Sequence, residues 1–353
     1  MINKRITIYD IARELNVSPS TVTRAINGKA GVSDELRARI VETANRLGYR
    51  TNRIAKSLTR DTLRIAVVVI DRMASFHPVI LDGARRAAEE LADFNVEGEY
   101  VLLPRENLRG NTIAELTRLA DAGVDGIIFT PNPHYGFEEI IAELTRRGVA
   151  VGTVISSSDN PDIMVSVSPD GVRAGRLAAD LFHTCGISAG DEVLVALGFN
   201  NLSVHKNCAA GFREQNERYG FHIVDEIQHY DDPDMAYQLA RRYLIEMPGI
   251  RGIYCATGVT GPVCRAVCDL GRQDCVRVIG TELSDETAKY MDEGVLVAAI
   301  FQDPFRQGRK AFRAMYDYLE SGDESRRSLC INPKLVLPGN LDYYWQFLRE
   351  EEE

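Results

Sequence analysis

Ser18-Pro19-Ser20-Thr21, with Arg24 one helical turn further on, is the stretch with the plainest chemistry in this chain. Small hydroxyls and a guanidinium on one short segment can reach phosphate oxygens and base edges, and arginine is the side chain shaped for guanine O6 and N7. The charge around them agrees. Residues 1–60 carry 12 Lys and Arg against 5 Asp and Glu, a net of +7, while the remainder carries 29 against 46, a net of −17. A basic module joined to an acidic body attracts a polyanion and dictates which face approaches it. A three-helix protein-interaction module is the competing reading of the same segment.

Three helices must position these residues. Ile8, Ile11, Ala12 and Leu15 recur at i, i+3, i+4 and i+7, which predicts a short amphipathic helix over Thr7–Leu15. Asn16-Val17 is a turn. Ser18 caps a second helix with Pro19 at its first position, and Val22, Ala25 and Ile26 face inward before Asn27-Gly28 stops it. Ser33-Asp34-Glu35 caps a third helix that runs through Leu47 and ends at Gly48. Two short helices, a tight turn and a supporting helix make a helix-turn-helix, whose second helix presents its N-terminal residues to the major groove.

The head also matches a family. Thr7-Ile8-Tyr9-Asp10-Ile11, Val17-Ser18-Pro19-Ser20-Thr21-Val22-Thr23-Arg24-Ala25-Ile26-Asn27, Arg46-Leu47-Gly48-Tyr49 and Asn52-Arg53-Ile54-Ala55-Lys56-Ser57-Leu58 resemble the LacI (lactose repressor) family without a gap. The resemblance implies DNA contacts from Thr7, Ile8, Tyr9, Ser18, Pro19, Ser20, Thr21, Thr23, Arg24, Asn27, Tyr49, Asn52, Arg53, Lys56 and Leu58. It further implies that Asn52–Leu58 is a hinge helix that folds on DNA and that Leu58 wedges into the minor groove. Seven residues are too few for a stable helix in isolation, but paired with a dimer mate such a segment can kink a duplex. A linker residue packed on the body is the alternative for Leu58, and solvated linker charges are the alternative for Arg53, Lys56 and Arg60.

From Arg64 onward apolar runs alternate with helical patterns. Ile65–Ile70 is continuously apolar, as in a strand covered on both faces. Strands are expected at 98–103, 126–130, 149–154, 192–197, 222–228, 252–255, 276–279 and 298–301. Helices are expected near 79–91, 112–122, 137–147, 171–182, 204–219, 234–246, 262–270, 285–291 and 306–319. Two βα-rich halves with mostly parallel sheets follow, and ligands of such sheets bind beyond the carboxyl ends of the strands. The body resembles the periplasmic-binding-protein type I core of the same family through Pro169–Gly175, Ala209-Ala210-Gly211-Phe212 and Gln302–Gly308.

The expected fold is therefore an α/β two-lobed periplasmic-binding-protein type I core with an N-terminal all-α helix-turn-helix headpiece. The headpiece spans 1–50, a hinge and linker 51–62, and the effector-binding and dimerisation core 63–353. Within the core one lobe takes about 63–165 and 299–328, the other about 166–298 and 329–353. Candidate ligand residues at strand ends are Asp71, Arg72, Phe76, His77, Thr130, His134, Thr153, Lys206, Thr257, Glu282 and Gln302, with Tyr135 or Phe76 able to stack on a sugar ring. The pocket departs from the family. Ala256-Thr257 stand where an Asn-Asp pair is usual, and Gly280-Thr281-Glu282-Leu283 where Gly-aromatic-Asp-Asp is usual. Lys206 matches an arginine that often grips the effector, and Thr153 an aspartate that binds sugar hydroxyls in some members.

Other chemistry has no support in the sequence. Cys264 and Cys268 share a helix face, yet no Cys-x-x-Cys or His-x-x-x-His spacing suggests a metal, and no nucleophile elbow or phosphate loop occurs, so no catalytic residue and no cofactor are expected. Asp231-Asp232 before Pro233 reads as a helix start. The seven cysteines, the absence of an 18-residue apolar stretch and the polar sequence after Met1–Arg5 point to a cytoplasmic protein with reduced thiols. These readings lead to a repressor of carbohydrate-utilisation genes that binds a near-palindromic operator as a homodimer and responds to a sugar or sugar derivative. The alternatives are a regulator controlled by a partner protein, with a degenerate pocket, and a solute-binding receptor.

Overall fold

Thr7 starts the first helix by donating its backbone N–H to the Asp10 carboxylate at 2.8 Å. The computed structural model describes residues 6–26, 30–47, 61–321 and 327–344, and its contacts divide the chain into two units, Met1–Asp61 and Thr62–Glu353. In the first unit α1 (Ile8–Leu15) ends on Asn16, which adopts the left-handed backbone that asparagine tolerates. The Ser18 hydroxyl accepts the Thr21 N–H at 3.1 Å and starts α2 (Pro19–Ile26). The third helix, α3 (Asp34–Leu47), closes a small core of Ile11, Ala12, Val22, Ala25, Ile40 and Ala44. The Arg37 guanidinium donates to the Ala25 carbonyl at 2.9 Å and so satisfies an orphan acceptor at the end of α2.

The second unit holds two six-stranded sheets. One contains β1 (Leu63–Ile70), β2 (Val96–Leu103), β3 (Gly126–Phe129), β4 (Ala150–Val154), β5 (Ile163–Pro169) and β11 (Arg327–Ile331), ordered β2-β1-β3-β4-β5-β11 and wholly parallel. The other contains β6 (Glu192–Leu197), β7 (His222–Gln228), β8 (Ile250–Cys255), β9 (Arg277–Thr281), β10 (Leu296–Phe301) and β12 (Lys334–Val336), ordered β7-β6-β8-β9-β10-β12, with only β12 antiparallel.

The apolar run of β1 has a direct cause. Ile65, Val67 and Val69 pack under α4 (His77–Glu90) and α12 (Pro304–Ser321), while Ala66 and Val68 pack under α5 (Leu108–Asp121) and α6 (Glu138–Arg146). The second sheet repeats the device. Val193 and Val195 face α7 (Gly171–Thr184) and α8 (Ser203–Tyr219); Leu194 and Ala196 face α9 (Pro233–Glu246), α10 (Thr260–Asp269) and α11 (Asp285–Asp292). Glycines let the paired helices touch backbone to backbone. A Cβ on Gly308 would lie 1.8 Å from the Ile80 carbonyl oxygen, and one on Gly175 would lie 2.0 Å from that of Cys208.

Three short connections link the lobes, and they differ from the expected boundaries. Residues 166–169 continue β5 in the first sheet, 299–301 belong to β10 in the second, and 329–331 pair with β5 in the first. A strand bonded along its length cannot be shared between sheets, so the chain crosses only after a strand is complete. Three strands have no counterpart in the expected pattern, namely β5, β11 and β12.

Candidate functional site

In the first unit, the N-terminal end of α2 gathers three hydroxyls. Ser18 Oγ lies 2.8 Å from both Ser20 Oγ and Thr21 Oγ1, and Ser18, Pro19 and Ser20 are exposed. The Thr23 hydroxyl donates to the Pro19 carbonyl at 2.9 Å within its own helix, and the residue is partly exposed. Arg24 is exposed, with no carboxylate within ion-pair distance among the described residues, and Tyr9 on α1 is 69% exposed. Thr7 is exposed at the start of α1, and Ile8 packs partly against the small core. Asn27, Tyr49, Asn52, Arg53, Lys56 and Leu58 lie outside the described residues.

In the second unit a cleft of about 440 Å³ opens at the carboxyl ends of the strands of both lobes. Of the expected ligand residues it brings together Arg72, Phe76, His77, Thr130, Thr257, Glu282 and Gln302. It does not include Asp71, His134, Thr153 or Lys206. Asp71 is exposed one residue before Arg72. His134 is exposed and sets its ring against Tyr135, Phe199 and Tyr230. Thr153 is buried inside the sheet, where its hydroxyl donates to Ser166 at 2.9 Å. Lys206 is exposed because each helical residue turns by about 100°, which points the preceding His205 inward instead.

The cleft also recruits residues that carried no signal in the sequence. Arg105, Asn132, Ile155, Phe199, His205 and Asp231 line it. Asp231 belongs to a turn whose neighbour, Asp232, caps α9 by accepting the Met235 N–H at 2.7 Å. Ile155, Asp231 and Glu282 hold left-handed backbone, with φ of 73°, 55° and 67°. For a β-branched residue such as Ile155 this costs on the order of 1–3 kcal/mol, and strain of this kind gathers at ligand sites.

Polar contacts tie the two lobes together. Arg72 donates to the Tyr230 carbonyl of the other lobe at 3.2 Å and packs over that lobe's Phe199 ring, while within its own lobe it donates to the Tyr135 hydroxyl at 3.3 Å. The Ser75 hydroxyl donates to the Leu283 carbonyl at 2.6 Å, and the Ser157 N–H donates to Ser203 Oγ at 2.9 Å. Burial lowers the His77 imidazole to about 4; Asp231 opposes that shift, and Arg72 and Arg105 reinforce it. His77 Nδ1 accepts the Met73 N–H at 3.2 Å, which leaves Nε2 as its donor. Burial likewise lowers His205, whose Nδ1 accepts the Phe199 N–H at 3.0 Å. Glu282 is pushed well above the usual carboxylate range by burial, although one oxygen accepts the Gln302 N–H at 2.9 Å. Its other oxygen is buried without a partner.

Among the described residues no group of three or more His, Cys, Asp and Glu could hold a metal, and no helix is long and apolar enough to cross a membrane.

Comparison with known proteins agrees with both units. Residues 7–52 match the model of bacterial regulatory proteins of the lacI family, and residues 65–324 match that of a periplasmic binding protein domain. Catabolite control protein A of Streptococcus mutans is 29% identical over 243 residues, 68% of this chain and 69% of that protein. The transcriptional regulator RegA of Clostridium saccharobutylicum is 26% identical over 256 residues, 71% of this chain and 74% of that protein. The fold resembles GanP, a glucose-galactose binding protein from Geobacillus stearothermophilus, with a TM-score of 0.72 at 23% identity, over 80% of this chain and 99% of that one.

Proposed function

The chain belongs to the lacI family of bacterial regulatory proteins, and we propose that it represses carbohydrate-utilisation genes under the control of a sugar or sugar derivative held in its cleft. It is a DNA-binding transcriptional regulator, as its relatives are. One observation carries the reading: a single chain joins a DNA-binding head at residues 7–52 to a two-lobed cleft of about 440 Å³. The cleft is partly enclosed and polar at defined points, which favours a small-molecule effector over a degenerate pocket run by a partner protein.

The proposed working form is a cytoplasmic homodimer on a near-palindromic operator, because one head of this size reads only a half-site. Serines 18 and 20, Thr21 and Arg24 read the major groove in this scheme. Asn52, Arg53 and Lys56 bind phosphates, and Leu58 wedges the minor groove. The ligand biases the angle between the lobes and thereby the folding of the paired hinges, with binding and not catalysis as the protein's whole work.

Selection from random duplexes at modest salt tests the proposal, followed by gel shifts with and without sugars. Enrichment of a two-fold symmetric site, and a change of its affinity with at least one carbohydrate, is the expected result. Enrichment of no symmetric duplex under any condition overturns it.

A further inference from the structure

We propose that the effector is a sugar acid, a polyhydroxylated molecule with one carboxylate, and that Arg72 and Arg105 hold this carboxylate between them. The inference rests on the ligand-gated reading above and specifies the chemical class of its ligand.

The two arginines are brought together by register. The parallel pairing of β1 with β2 sets Ile70 opposite Leu103, and in each case the chain reaches an arginine two residues past the strand's end. Both side chains line the cleft, and the Arg105 guanidinium donates to the Arg72 carbonyl at 2.5 Å. Their charges are unequally matched. Arg72 faces the Asp231 carboxylate at 3.4 Å, whereas Arg105 has no carboxylate within ion-pair distance among the described residues. Arg72 is matched by Asp231 while Arg105 is not, which leaves one guanidinium at this end of the cleft open to a ligand's negative charge. Asp285 and Glu286, exposed like Arg105, line the cleft on the opposite lobe at the start of α11.

Three further polar groups of the cleft can donate. His77 keeps Nε2–H free once Nδ1 has accepted the Met73 N–H. Burial raises the Glu282 carboxyl well above the usual carboxylate range, which favours its protonated, donating form, and its second oxygen is buried without a partner. Thr130 Oγ1, from the other lobe, is a second buried oxygen without a partner among the residues that line the cleft. A ligand that matches these groups brings acceptors and one negative charge. A carboxylate supplies one charge and two acceptor oxygens in the geometry that guanidinium favours. A phosphate monoester brings close to two charges, and the second would stand against Asp231.

Calorimetry on the full-length protein tests the assignment with D-galacturonate, D-glucuronate and D-gluconate, their neutral parents D-galactose and D-glucose, and glucose 6-phosphate. The expected result is an acid that binds at least tenfold more tightly than its parent sugar and than the phosphate, with an affinity that falls as salt rises. Arg105→Gln, a change at an exposed side chain, should weaken that acid at least tenfold and leave neutral sugars unaffected. A neutral sugar or the phosphate binding as tightly as the acids overturns the sugar-acid assignment and leaves the ligand-gated reading intact. An unchanged acid affinity in Arg105→Gln also overturns it. Silence toward all three classes, with the selected operator still bound, sinks both this assignment and the carbohydrate reading on which it rests.

Discussion

The guanidinium of Arg72 and the carboxylate of Asp231 meet at 3.4 Å from opposite lobes, and both line the cleft. The same carboxylate is the largest opposing charge acting on three buried or half-buried histidines, His77, His205 and His229, each of which desolvation holds neutral. One aspartate on a strained turn therefore links the contact between lobes to the protonation of the cleft wall.

Acid should destabilise the body through these histidines. Burial brings His77 and His229 down to about 4 and lowers His205 as well, whereas in an unfolded chain each titrates near 6.5. Between those limits the unfolded state binds more protons, so the stability is complete above pH 6.5 and drains away as pH falls toward 4. The melting temperature should drop between pH 7 and pH 5. His205→Asn, whose side-chain oxygen can still accept the Phe199 N–H, should make that drop shallower; an unchanged slope would refute the assignment.

Glu282 works in the opposite sense. Burial favours its protonated form in the fold, whereas it ionises above about 4.3 in the unfolded chain, so its presence should cost progressively more stability as pH rises from there. Glu282→Gln keeps the shape and an acceptor for the Gln302 N–H while removing the ionisation. Chemical denaturation at pH 5 and pH 8 should show the variant gaining on the parent at the higher pH. A constant difference between the two pH values would mean that Glu282 is already charged in the folded protein.

The helix pairs make a sharper demand on side-chain size. Gly308→Ala would press a methyl group to 1.8 Å from the Ile80 carbonyl oxygen, and Gly175→Ala to 2.0 Å from that of Cys208. Backbone cannot retreat as a flexible side chain can, so each change should cost about 3 kcal/mol or more. Gly339→Ala meets nothing within 4 Å and should be nearly neutral. The urea midpoints of the three variants decide the matter, and equal midpoints would show that the helices separate without penalty.

What could be read from the sequence follows physical lines. The apolar run of β1 was legible because its alternate residues feed two helical layers, and the head because Ile8, Ile11, Ala12 and Leu15 keep a helical period. Strand β5 was hidden by Ser166, Ser168 and Pro169, which mimic a loop; Ser166 is in fact satisfied within the sheet by Thr153. That pairing also explains why Thr153 is no ligand residue. At α8 the difference is one residue: the match to a family arginine points to Lys206, but the turn of the helix aims His205 inward. Asp231 reads in the sequence, with Asp232, as a helix start; only Asp232 is the cap, and the backbone that separates their roles has no signature in residue type.

Arg24 offers the most direct test of the head. Its guanidinium is exposed and unpaired among the described residues, one turn beyond the hydroxyl cluster of Ser18, Ser20 and Thr21. Nothing in the headpiece core depends on it, so Arg24→Ala should leave folding intact. A base-edge contact would cost about 1–3 kcal/mol on the selected operator, little on a scrambled duplex, and would relax the sequence preference at one position of each half-site. A phosphate contact would weaken both duplexes alike and lower the slope of log affinity against log salt by about one. Titrating the variant against both duplexes at two salt concentrations separates these cases. The major-groove assignment fails if the loss is the same on every sequence.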